Sequence, residues 1–147
     1  MSWLIHRYIT NYANNSNEGE KEKMIFAYIF IGLTVCVTIF QLLLALGAPW
    51  GEFTMGGRFP GKLPVKMRIA ALVQIVILLL FATIVISKAG IAFGPFFKVA
   101  KVGIWFVLAF FIFGSIVNLS SPSKKEKLVM GPLNIFALIS IFMVAIS

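Results

Sequence analysis

Glu52 and Arg58 stand within one Gly- and Pro-rich stretch, Gly47–Arg68, between two long apolar runs. An acid and a base this close in sequence can pair. Between them, Gly56-Gly57 offers backbone N–H groups able to form an anion-binding nest, and Arg58 and Lys62 add the charge for a phosphate or other anionic headgroup. Glu52 then either pairs with Arg58 or meets a cationic group. Trp50, at the head of the stretch, reads as an interface anchor with its indole N–H among headgroups.

The other chemistry-bearing groups are amides. Gln41, Gln74, Asn118 and Asn134 lie inside or at the ends of apolar runs. An amide in hydrocarbon is costly unless paired, so the four face one another or a small wet cavity. Two readings follow. In one they are interhelical glue and the Gly/Pro-rich loop is a packed cap. In the other they line a polar pocket roofed by that loop, with Glu126 beside it.

No catalytic residue is assigned. Glu52 lacks an evident second acid, base or metal partner. The single Cys36 forms no intramolecular disulfide and no Cys-x-x-Cys pair. With His6 the only histidine, a His/Cys metal site is not expected, and no cofactor is expected.

The elements that position these groups follow from composition. Of 147 residues 60% are hydrophobic, and mean hydropathy is +0.97. A soluble domain is typically about 45–50% apolar. Four runs, about 25–46, 69–87, 102–119 and 128–146, contain no Asp, Glu, Lys or Arg. A hydrocarbon core of about 30 Å needs about 20 helical residues, and backbone in lipid must bond internally. The fold expected is an all-α four-transmembrane-helix bundle over 24–147.

Residues 1–23 read as an N-terminal arm, either a short interfacial helix carrying Trp3, Leu4, Ile5, Tyr8, Ile9 and Tyr12 on one stripe or a disordered tail. Asn14–Lys23 reads as a solvated linker. Pro132 is expected in the first turn of the fourth helix, where its missing N–H costs little. Lys88–Lys101, with three phenylalanines between lysines, reads as a segment lying in the interface.

Four spans put both termini and the second loop on one side, and loops one and three on the other. The four amides then share the membrane half beneath loops one and three. Arg7, Lys21, Lys23, Lys88, Lys98 and Lys101 flank the first side; Arg58, Lys62, Lys66, Arg68, Lys124, Lys125 and Lys127 flank the second. Arg7 lies at the limit of the distance that counts, so the excess leans toward loops one and three in the cytoplasm. These flanking positions also explain the net charge of +8 as headgroup anchoring, so no nucleic-acid partner is expected.

The chain resembles a set of uncharacterised small bacterial integral membrane proteins with four spans. The resemblance rests on Gly47-Ala-Pro-Trp-Gly-Glu52, Gly56-Gly57-Arg58, Gly61, Leu63-Pro64 and Arg68, then Asn118-Leu-Ser120, Ser123, Glu126 and Gly131-Pro132. It covers roughly residues 25–147, implies the membrane fold and highlights loops one and three, with no activity to carry over; the membrane expected is a bacterial plasma membrane. The small multidrug transporters differ, since they need a glutamate in the first span.

The expected function is a non-catalytic binding, regulatory or accessory membrane component. Its polar pocket would comprise Gln41, Glu52, Gly56, Gly57, Arg58, Lys62, Gln74, Asn118, Glu126 and Asn134. The partners expected are membrane lipid, with an anionic headgroup among the candidates, and a second copy or another membrane protein. A homo-oligomeric transporter or channel-like subunit is the alternative, and a lipid-active membrane enzyme the third.

Overall fold

The structure is a computed structural model and describes residues 2–147. It contains four α-helices: α1 (Ser2–Leu46), α2 (Val65–Ala89), α3 (Phe97–Leu119) and α4 (Lys124–Ile146). All four are long and apolar enough to cross a membrane. In the bundle α1 packs on α2 and α4, and α3 packs on the same two, so the helices form a ring in chain order.

Each helix overruns its apolar stretch at one end or both. The runs end where the hydrocarbon would end, whereas the backbone keeps its i→i−4 bonds until a breaker intervenes. One consequence concerns Pro132, which lies eight positions beyond Lys124, inside α4 rather than in its first turn.

The largest departure is at the N-terminus. α1 is 45 residues, about 68 Å at 1.5 Å per residue, and passes unbroken through Asn14–Lys23. The expected linker is helix, and residues 2–23 continue the helix of the first span without a break. No proline precedes Pro49, and Glu, Lys and Ala are good helix formers. The spanning run supplies the nucleus that an isolated short helix lacks. Local bonds agree: Lys23 pairs with Glu20 at 2.8 Å, while the Thr10 and Ser16 hydroxyls donate to the carbonyls of His6 and Ala13. The stripe of Trp3, Leu4, Tyr8 and Tyr12 is exposed.

The interior divides into two halves. Toward the second loop it is solid: Phe30, Val85, Ile104, Val107, Ile141 and Val144 are fully buried in one apolar cluster. Phe30 meets Phe111 edge-on at 5.6 Å, and Phe81 meets Phe110 at 4.9 Å, forming an aromatic floor. The second loop is a compact turn whose phenylalanines, Phe93, Phe96 and Phe97, are exposed. Gly90 ends α2 in the left-handed conformation, a 3-10 turn at Gly94–Phe96 leads into α3, and the Ser87 hydroxyl donates to the Phe93 carbonyl. Toward loops one and three the helices enclose a cavity instead.

Candidate functional site

The cavity has a volume of about 970 Å³ and is lined by residues of all four helices and both neighbouring loops. Its composition is layered by the chain directions. Leu33, Leu78, Phe110, Phe111 and Ala137 form the deep apolar end above the aromatic floor. Gln41 from α1, Gln74 from α2, Asn118 from α3 and Asn134 from α4 line the same cavity closer to the loops. Met55, Gly56, Arg58, Ser121 and Glu126 form its roof.

Each helix therefore contributes one amide. Among the described residues, none of the four amides makes a side-chain hydrogen bond to protein. They are not bonded to one another as interhelical glue. They are half-buried and turn toward the cavity, where a polar occupant can satisfy them.

Loop one becomes a roof because several interactions fold it down. Arg68 Nε donates to the Ala45 carbonyl at 2.7 Å, satisfying a carbonyl at the end of α1 and tying the two ends of the loop together. The Gly51 amide donates to the Gly61 carbonyl at 2.9 Å. A Cβ on Gly51 would sit 1.9 Å from the Phe59 carbonyl oxygen, so only glycine permits that approach. Leu63 is buried with Leu44, Ala45 and Ala71 in a second small apolar cluster. Trp50 is partly exposed and stacks on Phe40 with centroids 6.1 Å apart and planes at 7°.

The roof is bolted to the start of α4. Ser123 caps α4, its hydroxyl oxygen accepting from the Glu126 amide at 3.3 Å. In a capping box the Glu side chain would reach back to the cap residue's N–H. Here that N–H donates to Ser121 Oγ instead. Glu126 Oε2 is left to accept from the Gly56 amide at 2.7 Å and from the Ser121 hydroxyl at 2.6 Å. The Ser123 hydroxyl also donates to the Glu52 carbonyl at 2.6 Å, and Lys125 pairs with the Glu52 carboxylate.

The expected site residues thus divide into groups. Gln41, Gly56, Arg58, Gln74, Asn118, Glu126 and Asn134 share the cavity. Glu52, Gly57 and again Gly56 border a shallow outer groove of about 360 Å³ on the far side of the roof. Lys62 lines neither and is exposed. Two expectations are corrected. Glu52 pairs with Lys125, not Arg58, because the cap at Ser123 brings the first turn of α4 against Glu52. The Gly56-Gly57 amides do not form an open nest: Gly56 donates to Glu126 and Gly57 to the Thr54 carbonyl.

Sequence reasoning passed over Ser121 and treated Ser123 only as part of a pattern. The signal for the cap was present as Ser123-x-x-Glu126, but the diversion of the Glu side chain to another loop is tertiary. Among the described residues no cluster of His, Cys, Asp and Glu could hold a metal ion. No family model matches the chain, and neither a curated protein nor a solved structure matches it.

Proposed function

We propose that this chain is an integral membrane protein that binds an amphiphile in the cavity beneath loops one and three. One observation carries the reading: four amides, one from each helix, converge on a single cavity without protein partners. The cavity's size falls at the upper end of the usual ligand range of about 300–1,000 Å³. Its polar end lies toward the loops and its apolar end toward mid-bilayer, matching the polarity of a lipid entering from that leaflet.

The same layering disfavours the transporter and channel readings. Beyond the aromatic floor the core is packed hydrocarbon, and the buried polar side chains there, Ser87, Lys88 and Ser140, are each bonded to a backbone carbonyl. Chemistry on a bound lipid is disfavoured because the two nearest carboxylates are engaged, Glu52 by Lys125 and Glu126 by Gly56 and Ser121.

In this reading the protein resides in a bacterial plasma membrane with loops one and three cytoplasmic. Seven Lys and Arg residues flank that side and five the other, Arg7 set aside as remote. Alkaline phosphatase fused after Ser147 is then active, and a fluorescent cytoplasmic fusion there reverses the orientation. Native mass spectrometry of the detergent-extracted full chain tests the binding function. The expected spectrum carries a lipid adduct on each copy, and a bare chain under the mildest extraction overturns the proposal.

A further inference from the structure

The walls of the cavity show how an amphiphile reaches it and which headgroup it would carry. A helix advances about 100° per residue, so faces can be read from residue numbers. On α2, Ala70 lies on the same flank as Phe81 and Ile84. On α3, Phe110, Phe113 and Val117 lie on the same flank as Gly103. Toward the second loop these flanks touch: Ile84 is 3.4 Å from where a Gly103 Cβ would stand, and Phe81 packs on Phe110. Toward loops one and three the same flanks present Ala70, Phe113 and Val117. All three line the cavity, and all three are exposed. Among the described residues, no cavity-lining residue of α1 or α4 is exposed, so the exposed rim of the cavity lies between α2 and α3, the side on which it opens. Ala70, whose side chain is one methyl group, does little to fill that opening.

Charge selects the headgroup. Both carboxylates near the roof have partners, Glu126 with Gly56 and Ser121, Glu52 with Lys125. Arg58 lines the cavity and, among the described residues, forms no salt bridge. A phosphate finds a guanidinium there, whereas an ammonium finds no free acid. The amides supply both donors and acceptors, which suits hydroxyl groups.

Resting on the amphiphile-binding reading above, we propose that the cavity takes one hydrocarbon chain of an anionic, hydroxylated lipid through the α2–α3 gap. The lipid phosphate lies at Arg58 and its hydroxyls lie among Gln41, Gln74, Asn118 and Asn134. The other chain stays in the bilayer.

The full chain in detergent, offered phosphatidylglycerol, phosphatidylethanolamine and phosphatidylcholine with identical chains, tests this by native mass spectrometry. Phosphatidylglycerol is retained about tenfold more tightly than the other two, a preference that falls to within about twofold in Arg58→Gln and persists in Arg58→Lys. Ala70→Trp and, from the opposite rim, Val117→Trp each lower phosphatidylglycerol occupancy about tenfold while the thermal unfolding midpoint holds. Glycerol phosphate, which has no tail, does not compete. Equal retention of the three lipids overturns the headgroup assignment, and unchanged occupancy in both tryptophan variants overturns the route. Competition by glycerol phosphate at equal concentration overturns the lipid as ligand. Loss of every lipid class from the parent chain instead defeats the underlying amphiphile-binding reading.

Discussion

The Gly56 amide donates to Glu126 Oε2 at 2.7 Å, joining residues 70 positions apart in sequence. This contact closes the roof. Glu126 is 5% exposed, and its second bond, from Ser121 at 2.6 Å, also comes from outside its own helix. A buried carboxylate persists because charge-assisted hydrogen bonds offset its desolvation.

Replacing Glu126 with Ala therefore strands the Gly56 N–H and the Ser121 hydroxyl. The expected loss is about 1.5–3 kcal/mol, the usual range for hydrogen bonds to a charged group. Glu126→Gln keeps an acceptor oxygen and costs less. Trypsin cleavage at Arg58 and Lys62 in the detergent-solubilised protein reads the effect directly. Cleavage should accelerate in the order parent, Gln, Ala. Equal rates in all three would show that the roof is held elsewhere.

Gly57 supplies a separate test of roof docking. Its φ is +69°, and a Cβ there would stand 2.8 Å from Ser123 Cβ. Gly57→Ala combines left-handed strain with a clash against the α4 cap, costing about 2–4 kcal/mol. Gly61 has φ +84° with nothing near its Cβ position, so Gly61→Ala carries only the backbone strain, about 1 kcal/mol. The difference between their thermal midpoints isolates the clash.

The Glu52–Lys125 pair is a weaker latch. The Lys125 and Glu52 side chains are 60% and 40% exposed, so solvent screens the attraction. Either single substitution to Ala should cost no more than about 1 kcal/mol. A double-mutant cycle on thermal stability measures the coupling. Lipid retention should be unchanged, because Glu52 borders the outer groove and not the cavity. A parallel loss of lipid in Glu52→Ala would return Glu52 to the binding site.

The four spans were legible because hydrocarbon enforces them: each run excludes charge over the thickness it must cross. The convergence of Gln41, Gln74, Asn118 and Asn134 on one membrane half followed from topology alone, since each lies toward the loop-one or loop-three end of its run. Whether they paired with one another did not follow, because that depends on helix rotation. Loop one showed the opposite limit. Its glycines and prolines announced a folded turn, but Glu52 and Arg58 looked like partners only because they are near in sequence. The competing partner, Lys125, comes from the far end of the chain. The linker expected at 14–23 is helix for a local reason: Asn14, Asn15, Ser16 and Gly19 are poor helix formers, yet none prevents a helix already nucleated beyond them.

The amides give the sharpest division between a packed bundle and a binding protein. Interhelical glue is worth about 0.6 kcal/mol per bond on average, so its removal destabilises. An amide without a protein partner only costs desolvation. Gln74→Leu and Asn134→Leu exchange amides for apolar groups of similar size and should leave the thermal midpoint unchanged or raise it. The same variants should lose co-purified lipid, because the headgroup loses hydrogen-bond partners. Stability and retention then move in opposite directions, which no general unfolding defect produces. Asn134 tests this best: its Nδ2 lies 3.5 Å from where a Gly114 Cβ would stand, so it packs against the neighbouring α3 as well as lining the cavity. A fall in both quantities would mean that Asn134 supports the helices themselves.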